Sequence, residues 1–252
     1  MDRIAKERDF HDQRFRDHDE DVRHDLGKYY SVYTLNTALY NALLGRYLPS
    51  RDVLEYGCAK GEKSLRWAKQ GARVTGIDIS DEAVRIANAE AQKAVLPAQF
   101  FAMNAEKMDF ANDSFDVVYG EGILHHLHLD QAYAEVARVL RTDGRAVFVE
   151  PMGHNPALNL YRKLTPAMRT EDEHPLVKRD LTLLRRYFKS VDVHYFHIAT
   201  LAAVPFRNTV LFKPLLAVLH RVDRALMRLL PPIRHWAWVV VIDIAGPLRP
   251  ML

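Results

Sequence analysis

Val53-Leu54-Glu55-Tyr56-Gly57-Cys58-Ala59-Lys60-Gly61 decides the fold. Asp52 to Tyr56 reads as a short strand, and it runs into small residues at 57, 59 and 61. A turn of this kind lets backbone N–H groups and the start of the next helix approach a ligand closely. It also describes a tight strand-to-helix turn that holds no ligand. The second strand, Arg73 to Ile77, ends at Asp78, seventeen residues after Gly61. An acid there can accept hydrogen bonds from two ribose hydroxyls. Capping of the helix that begins near Asp81 is a compatible second role.

The pattern continues outward from this pair. Helices are predicted over Ser64 to Gln70, Asp81 to Ala94 and Leu129 to Leu140, and strands over Ala98 to Met103, Phe115 to Tyr119 and Ala146 to Glu150. Asp81 and Glu82 suit the positive end of their helix. Strands alternating with helices at this pitch imply a parallel sheet with right-handed crossovers. Pro151 to Pro175 reads as a long loop with a short helix, followed by a helix over Leu181 to Phe188 and a strand over Val191 to Ile198. Pro205 to Leu230 reads as one or two helices interrupted near Pro214, and Trp236 to Ile244 as a seventh strand. Residues 1 to 28 read as solvated, weakly packing helices. Tyr33 to Tyr47 reads as a helix with Leu35, Leu39, Leu43 and Leu44 on one face.

Four segments in order resemble the class I S-adenosylmethionine-dependent methyltransferases, above all their small-molecule, quinone and lipid subgroup. They are Val53 to Gly61, Val74 to Ser80, Asn104 to Val118 and Glu135 to Pro151. A dinucleotide oxidoreductase shares the strand, turn and acid, but the spacing from Gly57 to Gly61 is not G-x-G-x-x-G. The resemblance implies an α/β fold with a Rossmann-like seven-stranded sheet and helical cap elements, its last strand antiparallel beside the fifth. It implies four regions: a helical lid over 1–50, a cofactor-binding core over 51–200, a basic amphipathic insertion over 201–234, and the final strand and tail over 235–252.

The resemblance also implies roles for particular residues. Gly57, Cys58, Ala59 and Gly61 would line the methionine end of S-adenosylmethionine through their backbones, and Glu55 would sit near its amino group. Asp78 would hold the ribose and Ile79 would flank the adenine. Asn104 and Ala105 would meet the adenine edge, and Gly120 and Glu121 would face the methionine portion. Ala59 stands where a second glycine is usual, and Asn104 where an aspartate is common. An amide carbonyl still accepts from the adenine amino group.

Gly122 to His128 reads Gly-Ile-Leu-His-His-Leu-His. His125 and His126 are expected to point different ways. One can remove a proton from the acceptor near neutral pH, while a role in shaping the cofactor floor is the alternative. His125, His126 and His128 are not expected to converge on a metal. Tyr30, His154, Arg169 and His174 are candidates for acceptor contact; for the tyrosines beside residue 30, packing is an equal reading. His11 is a weaker lid candidate.

The chain has 252 residues, 48% hydrophobic and 27% charged, with one cysteine, a composition that excludes disordered and disulfide-scaffold classes. The net charge of +3 is too small to argue nucleic-acid binding. With neither a secretory signal nor an apolar run long enough to span a bilayer, a cytoplasmic location is the expectation. From 201 to 235, six basic residues face only one acidic residue, Asp223. Leu215, Leu219, Val222, Leu226 and Leu229 form an apolar stripe, with Arg221, Arg224 and Arg228 expected opposite. Such a helix either packs on the domain or rests on anionic lipid. The expected activity is methyl transfer to a small, lipophilic acceptor; a soluble acceptor such as a sugar or natural-product intermediate, or cofactor binding without catalysis, are the alternatives.

Overall fold

Alternation of buried residues builds the sheet first. Along β1 (Asp52–Tyr56), Leu54 and Tyr56 enter one apolar cluster while Val53 enters another on the opposite face. The same two-residue period separates Phe148 from Val147 and Val149 in β5 (Leu140–Pro151). Both faces are therefore covered, as a mostly parallel sheet requires.

The computed structural model describes residues 3–16, 27–165 and 173–249. The remaining strands are β2 (Arg73–Asp78), β3 (Ala98–Ala102), β4 (Phe115–Glu121), β6 (Phe188–Phe196) and β7 (Val239–Pro247). Their order is β3-β2-β1-β4-β5-β7-β6. β7 runs antiparallel to both β5 and β6, and the pairs β1–β2, β2–β3, β1–β4 and β4–β5 are parallel. The strand order reverses between β1 and β4, and ligands in such sheets bind at the carboxyl ends beside that reversal.

Besides a helical stretch at residues 27–30, the helices are α1 (Arg3–Arg16), α2 (Leu35–Tyr47), α3 (Glu62–Ala68), α4 (Asp81–Ala94), α5 (Leu129–Val139), α6 (Pro156–Leu164), α7 (Lys178–Leu183) and α8 (Phe212–Leu229). α2, α3 and α4 pack on one face through Tyr40, Leu44, Trp67, Val84 and Ala87. α5 and α7 pack on the other through Tyr133, Val136 and Leu181. Ser80 caps α4 by accepting from the Ala83 N–H at 3.1 Å, which leaves Asp78 for other work.

Several sequence-level expectations change here. The buried face of α2 is Asn36, Tyr40 and Leu44, while Leu35 is exposed. β6 starts at Phe188, three residues earlier than expected, because Leu184–Arg186 closes as a 3-10 turn. The fifth strand, expected from Ala146, starts at Leu140, and residues 141–144 are absorbed as a bulge, since Leu140 pairs with Phe115 but Arg145 with Val117. Pro214 does not interrupt α8. It sits in the first turn, where a backbone N–H has no partner within the helix.

Between β6 and β7, the 3-10 segment Ala199–Phe206 and α8 form a third small cluster with Val32, Tyr33 and Trp238. Asp223 on α8 anchors it, accepting from the N–H groups of Ile198, Ala199 and Thr200 and from the Thr200 hydroxyl at 2.9 Å. On α8 only Leu216 and Asp223 are buried. Val222 and Leu229 of the apolar stripe stay exposed beside the arginines rather than packing away from them.

Candidate active site

The glycine turn continues the ladder of β1. Gly57 and Cys58 both donate to Ile77 O, at 2.9 and 2.8 Å, which fixes the loop to the end of β2. Gly57 has φ +79°, and a Cβ there would lie 3.0 Å from Ile123. Ala59 has φ +46°, the left-handed region that glycine favours. Its methyl group costs about 1–2 kcal/mol of backbone strain that a glycine would avoid.

The Asp78 carboxylate locks the turn. Its oxygens accept from Ala59 N–H at 2.8 Å and Ser80 N–H at 3.0 Å. Burial raises its pKa, against the lowering effect of these N–H donors. Each carboxylate oxygen keeps acceptor capacity for a further hydroxyl.

A cavity of about 230 Å³ opens in front of this acid. Gly57, Ala59, Asp78, Ile79, Asn104, Ala105 and Glu121 line it. Glu55, Cys58, Gly61 and Gly120 do not. The Glu55 carboxylate is buried beneath α3, accepting from the Ser64 N–H at 3.0 Å and the Ser64 hydroxyl at 2.5 Å. Burial raises its pKa to about 7. Glu55 thus ties the end of β1 to the start of α3. Cys58 packs in the apolar cluster, with its thiol pKa pushed up by burial. Gly120 lets β4 approach β1, since a Cβ there would lie 2.7 Å from Tyr56 O. Asn104 Oδ1 accepts from Glu106 N–H at 2.9 Å, shaping the turn after β3.

The other wall is α1, which packs far more closely than a solvated helix. Ile4, Glu7, His11 and Phe15 present one helical face to the cavity, and their spacing is the signal that the sequence offered. Arg3 forms an ion pair with Glu106 and donates to His126 O at 2.9 Å. Asp12 accepts from the Ser80 hydroxyl at 2.5 Å. The helix is pinned at both ends of the cavity.

The two histidines separate by environment. His126 lines the cavity, with the His11 ring 6.0 Å away. His125 is buried outside it, with Nδ1 2.7 Å from Glu150 and Nε2 3.7 Å from Glu173. Glu150 also accepts from the N–H groups of Ile123 and Leu124, so it fixes the whole 3-10 turn Leu124–His126. The rings do not diverge as expected: their centroids lie 4.2 Å apart. Among the described residues, His125 and His126 converge with Glu173 rather than with His128, each offering a ligand atom within 4.8 Å of the others.

The acceptor candidates scatter. Tyr30 is half exposed and packs near Tyr33 and Trp238, outside the cavity lining. His174 donates its backbone N–H to His125 O at 2.9 Å. The ring of His154 accepts from Lys178 N–H at 2.9 Å, away from the cavity walls. Arg169 lies outside the described residues.

Residues 54–148 match the model of a methyltransferase domain family. The chain is 35% identical over 100 residues to the uncharacterized methyltransferase YcgJ of Bacillus subtilis, covering 39% of this chain and 40% of that protein. The solved structure of YcgJ superposes with a TM-score of 0.56 at 19% identity, over 84% of this chain and 98% of that one. The chain is 33% identical over 153 residues to the O-methyltransferase cnsE of Penicillium expansum, covering 56% and 53%. It is 39% identical over 105 residues to the S-adenosyl-L-methionine-dependent Diels-Alderase iccD of Talaromyces variabilis, covering 39% and 35%. The chain thus spans between about a third and about half of the length of these curated relatives. Residues 54–148 therefore match a methyltransferase domain family, and they do so on a seven-stranded sheet whose fold the solved structure of YcgJ shares.

Proposed function

We propose that the chain binds S-adenosylmethionine in the cavity before Asp78 and transfers its methyl group to a small, lipophilic acceptor. The observation that carries this reading is the Asp78 carboxylate, held by the glycine turn and facing a cavity roofed by α1. The residues suit the group. Asp78 has acceptor capacity for two hydroxyls, Ile79, Met103 and Leu127 offer apolar walls for a purine, and Asn104 and Ala105 lie where its edge would fall. When bound, the sulfonium supplies an activated methyl group with a neutral leaving group. The protein's work is then to hold and orient the acceptor and exclude water. His126, which lines the cavity, would take the proton of a hydroxyl or amine acceptor, and the His125–Glu150 pair holds the turn that carries it.

The lipophilic reading rests on α8. Its outer surface joins Val218, Val222 and Leu229 to Arg221, Arg224 and Arg228, all exposed. No helix among the described residues is long and apolar enough to cross a membrane, so contact with anionic lipid would be peripheral. Incubation with labelled S-adenosylmethionine and fractionated lipid and aqueous extracts tests both parts. Label in a lipid-fraction product supports the proposal. Label only in an aqueous product favours a soluble acceptor, and binding without transfer to either fraction favours a non-catalytic role.

A further inference from the structure

A second cavity, of about 300 Å³, lies at the opposite edge of the sheet from β3 and shares no residue with the first. Three chain segments build it. Val191, Val193 and Tyr195 are alternate residues on one face of β6, the edge strand, and with Leu181 they give an apolar floor. Lys178 and Arg185 come from α7 and the 3-10 turn behind it. Arg234 and His235 come from the 3-10 segment Pro231–Trp236 that follows α8. The Arg234 guanidinium lies over the Tyr195 ring at 5.5 Å, which orients it across the cavity.

The lining holds three cationic side chains, Lys178, Arg185 and Arg234, together with His235, and no acidic one. Among the described residues, Lys178, Arg185 and Arg234 form no ion pair, whereas Arg73, Arg141, Arg145 and Arg249 are each paired with an aspartate. The His154 ring lies 6.0 Å from that of His235. The field is positive enough to register on His235. Its pKa is lowered by burial first, and then by Arg234, Lys178 and His154. Uncompensated cations around an apolar floor are complementary to an anion that carries carbon, and guanidinium forks match the oxygens of a phosphate.

We propose that this cavity binds an amphiphilic phosphate ester, with Lys178, Arg185 and Arg234 on the phosphate and Leu181, Val193 and Tyr195 against its carbon portion. The ester is either the headgroup region of a lipid or a soluble phosphorylated metabolite. The site stands independently of methyl transfer and of the contact made by α8, since it uses none of their residues.

Calorimetric titration tests it with glycerol phosphate and glycerol, and with dihexanoyl phosphatidic acid and dihexanoylglycerol, each pair differing by the phosphate. The native protein is expected to bind a phosphorylated member and not its neutral partner. The Arg185→Gln/Arg234→Gln double variant should bind at least about tenfold more weakly, as for loss of charge-assisted hydrogen bonds. Its affinity for S-adenosylmethionine should be unchanged. Preference for the acylated ester identifies a lipid source, and equal affinity for both esters a soluble one. Lys178→Gln, at an exposed side chain, gives an independent variant with a smaller expected loss. No binding of either ester, or binding undiminished in the variants, overturns the proposal.

Discussion

Replacing Glu55 with Gln isolates one buried ionisation. The carboxylate sits beneath α3 with its Oε2 accepting from both the N–H and the hydroxyl of Ser64. A glutamine carbonyl can accept the same two bonds, so the shape and the partners survive. What changes is the charge. Burial moves the folded-state pKa from 4.5 to about 7. The folded protein therefore keeps this proton over a range in which the unfolded chain has released it. Stability falls as pH rises through that window, by about 1.4 kcal/mol per pH unit for one proton. Over the span from 4.5 to about 7 the loss reaches about 3 kcal/mol, and it is complete above pH 7. In Glu55→Gln this term is absent. Urea denaturation of both proteins at a series of pH values should give curves that separate as pH rises, the variant becoming the more stable by about 3 kcal/mol above neutrality. Parallel curves across the window would show that Glu55 is ionised without penalty, and the placement beneath α3 would be refuted. A carboxylate facing the cofactor's amino group would instead show its effect in cofactor affinity.

His197 carries the opposite sign: burial lowers its pKa to about 3, with its ring between Asn36 and Thr200, so its contribution is full above about pH 6.5 and is lost as pH falls toward 3. His197→Gln should flatten the acid limb of the same denaturation series. Asp223→Ala should destabilise the protein by about 3 kcal/mol or more, because three buried or half-buried N–H groups lose their acceptor at a cost of at least about 1 kcal/mol each, and thermal unfolding reads this directly. For a hydroxyl or amine acceptor, His126→Ala should lower turnover about 10²–10⁴-fold with cofactor affinity nearly intact, whereas His125→Ala should act by loosening the turn and show a reduced melting temperature as well. Changing Arg221, Arg224 and Arg228 together to Gln should abolish salt-sensitive co-sedimentation with anionic vesicles; equal recovery in the supernatant for native and altered protein would leave α8 a packing helix.

What was legible in the sequence was local. The glycine turn, the acid at the end of β2 and the span Asp81–Ala94 follow from backbone preference and short-range pattern, and they occupy their expected places. Pro214 misled because a proline ends a helix only beyond its first turn, and the start of α8 was not marked by a side-chain cap. The roles of His125 and His126 were not separable, since Glu150, which holds one of them, lies a whole crossover away. The Ser64 bonds of Glu55 and the close approach of β4 to β1 at Gly120 depend on tertiary packing that residue type and order do not reveal. The close packing of α1 was hidden for a different reason. Charges of both signs in α1 suggested solvent, yet Glu7 and Asp12 are buried, Glu7 beside His11 and Asp12 on the Ser80 hydroxyl. The basic cavity near β6 combines residues from three distant segments, and no linear pattern announces it.

The measurement that bears most directly on the central claim is the affinity for S-adenosylmethionine of the native protein and of Asp78→Ala, by titration calorimetry. The native protein should bind one equivalent, and the variant about 10- to 100-fold more weakly, as for loss of hydrogen bonds to a charged group worth about 1.5–3 kcal/mol. No binding by the native protein, or equal affinity in the variant, would contradict the assignment of the cofactor to the cavity before Asp78.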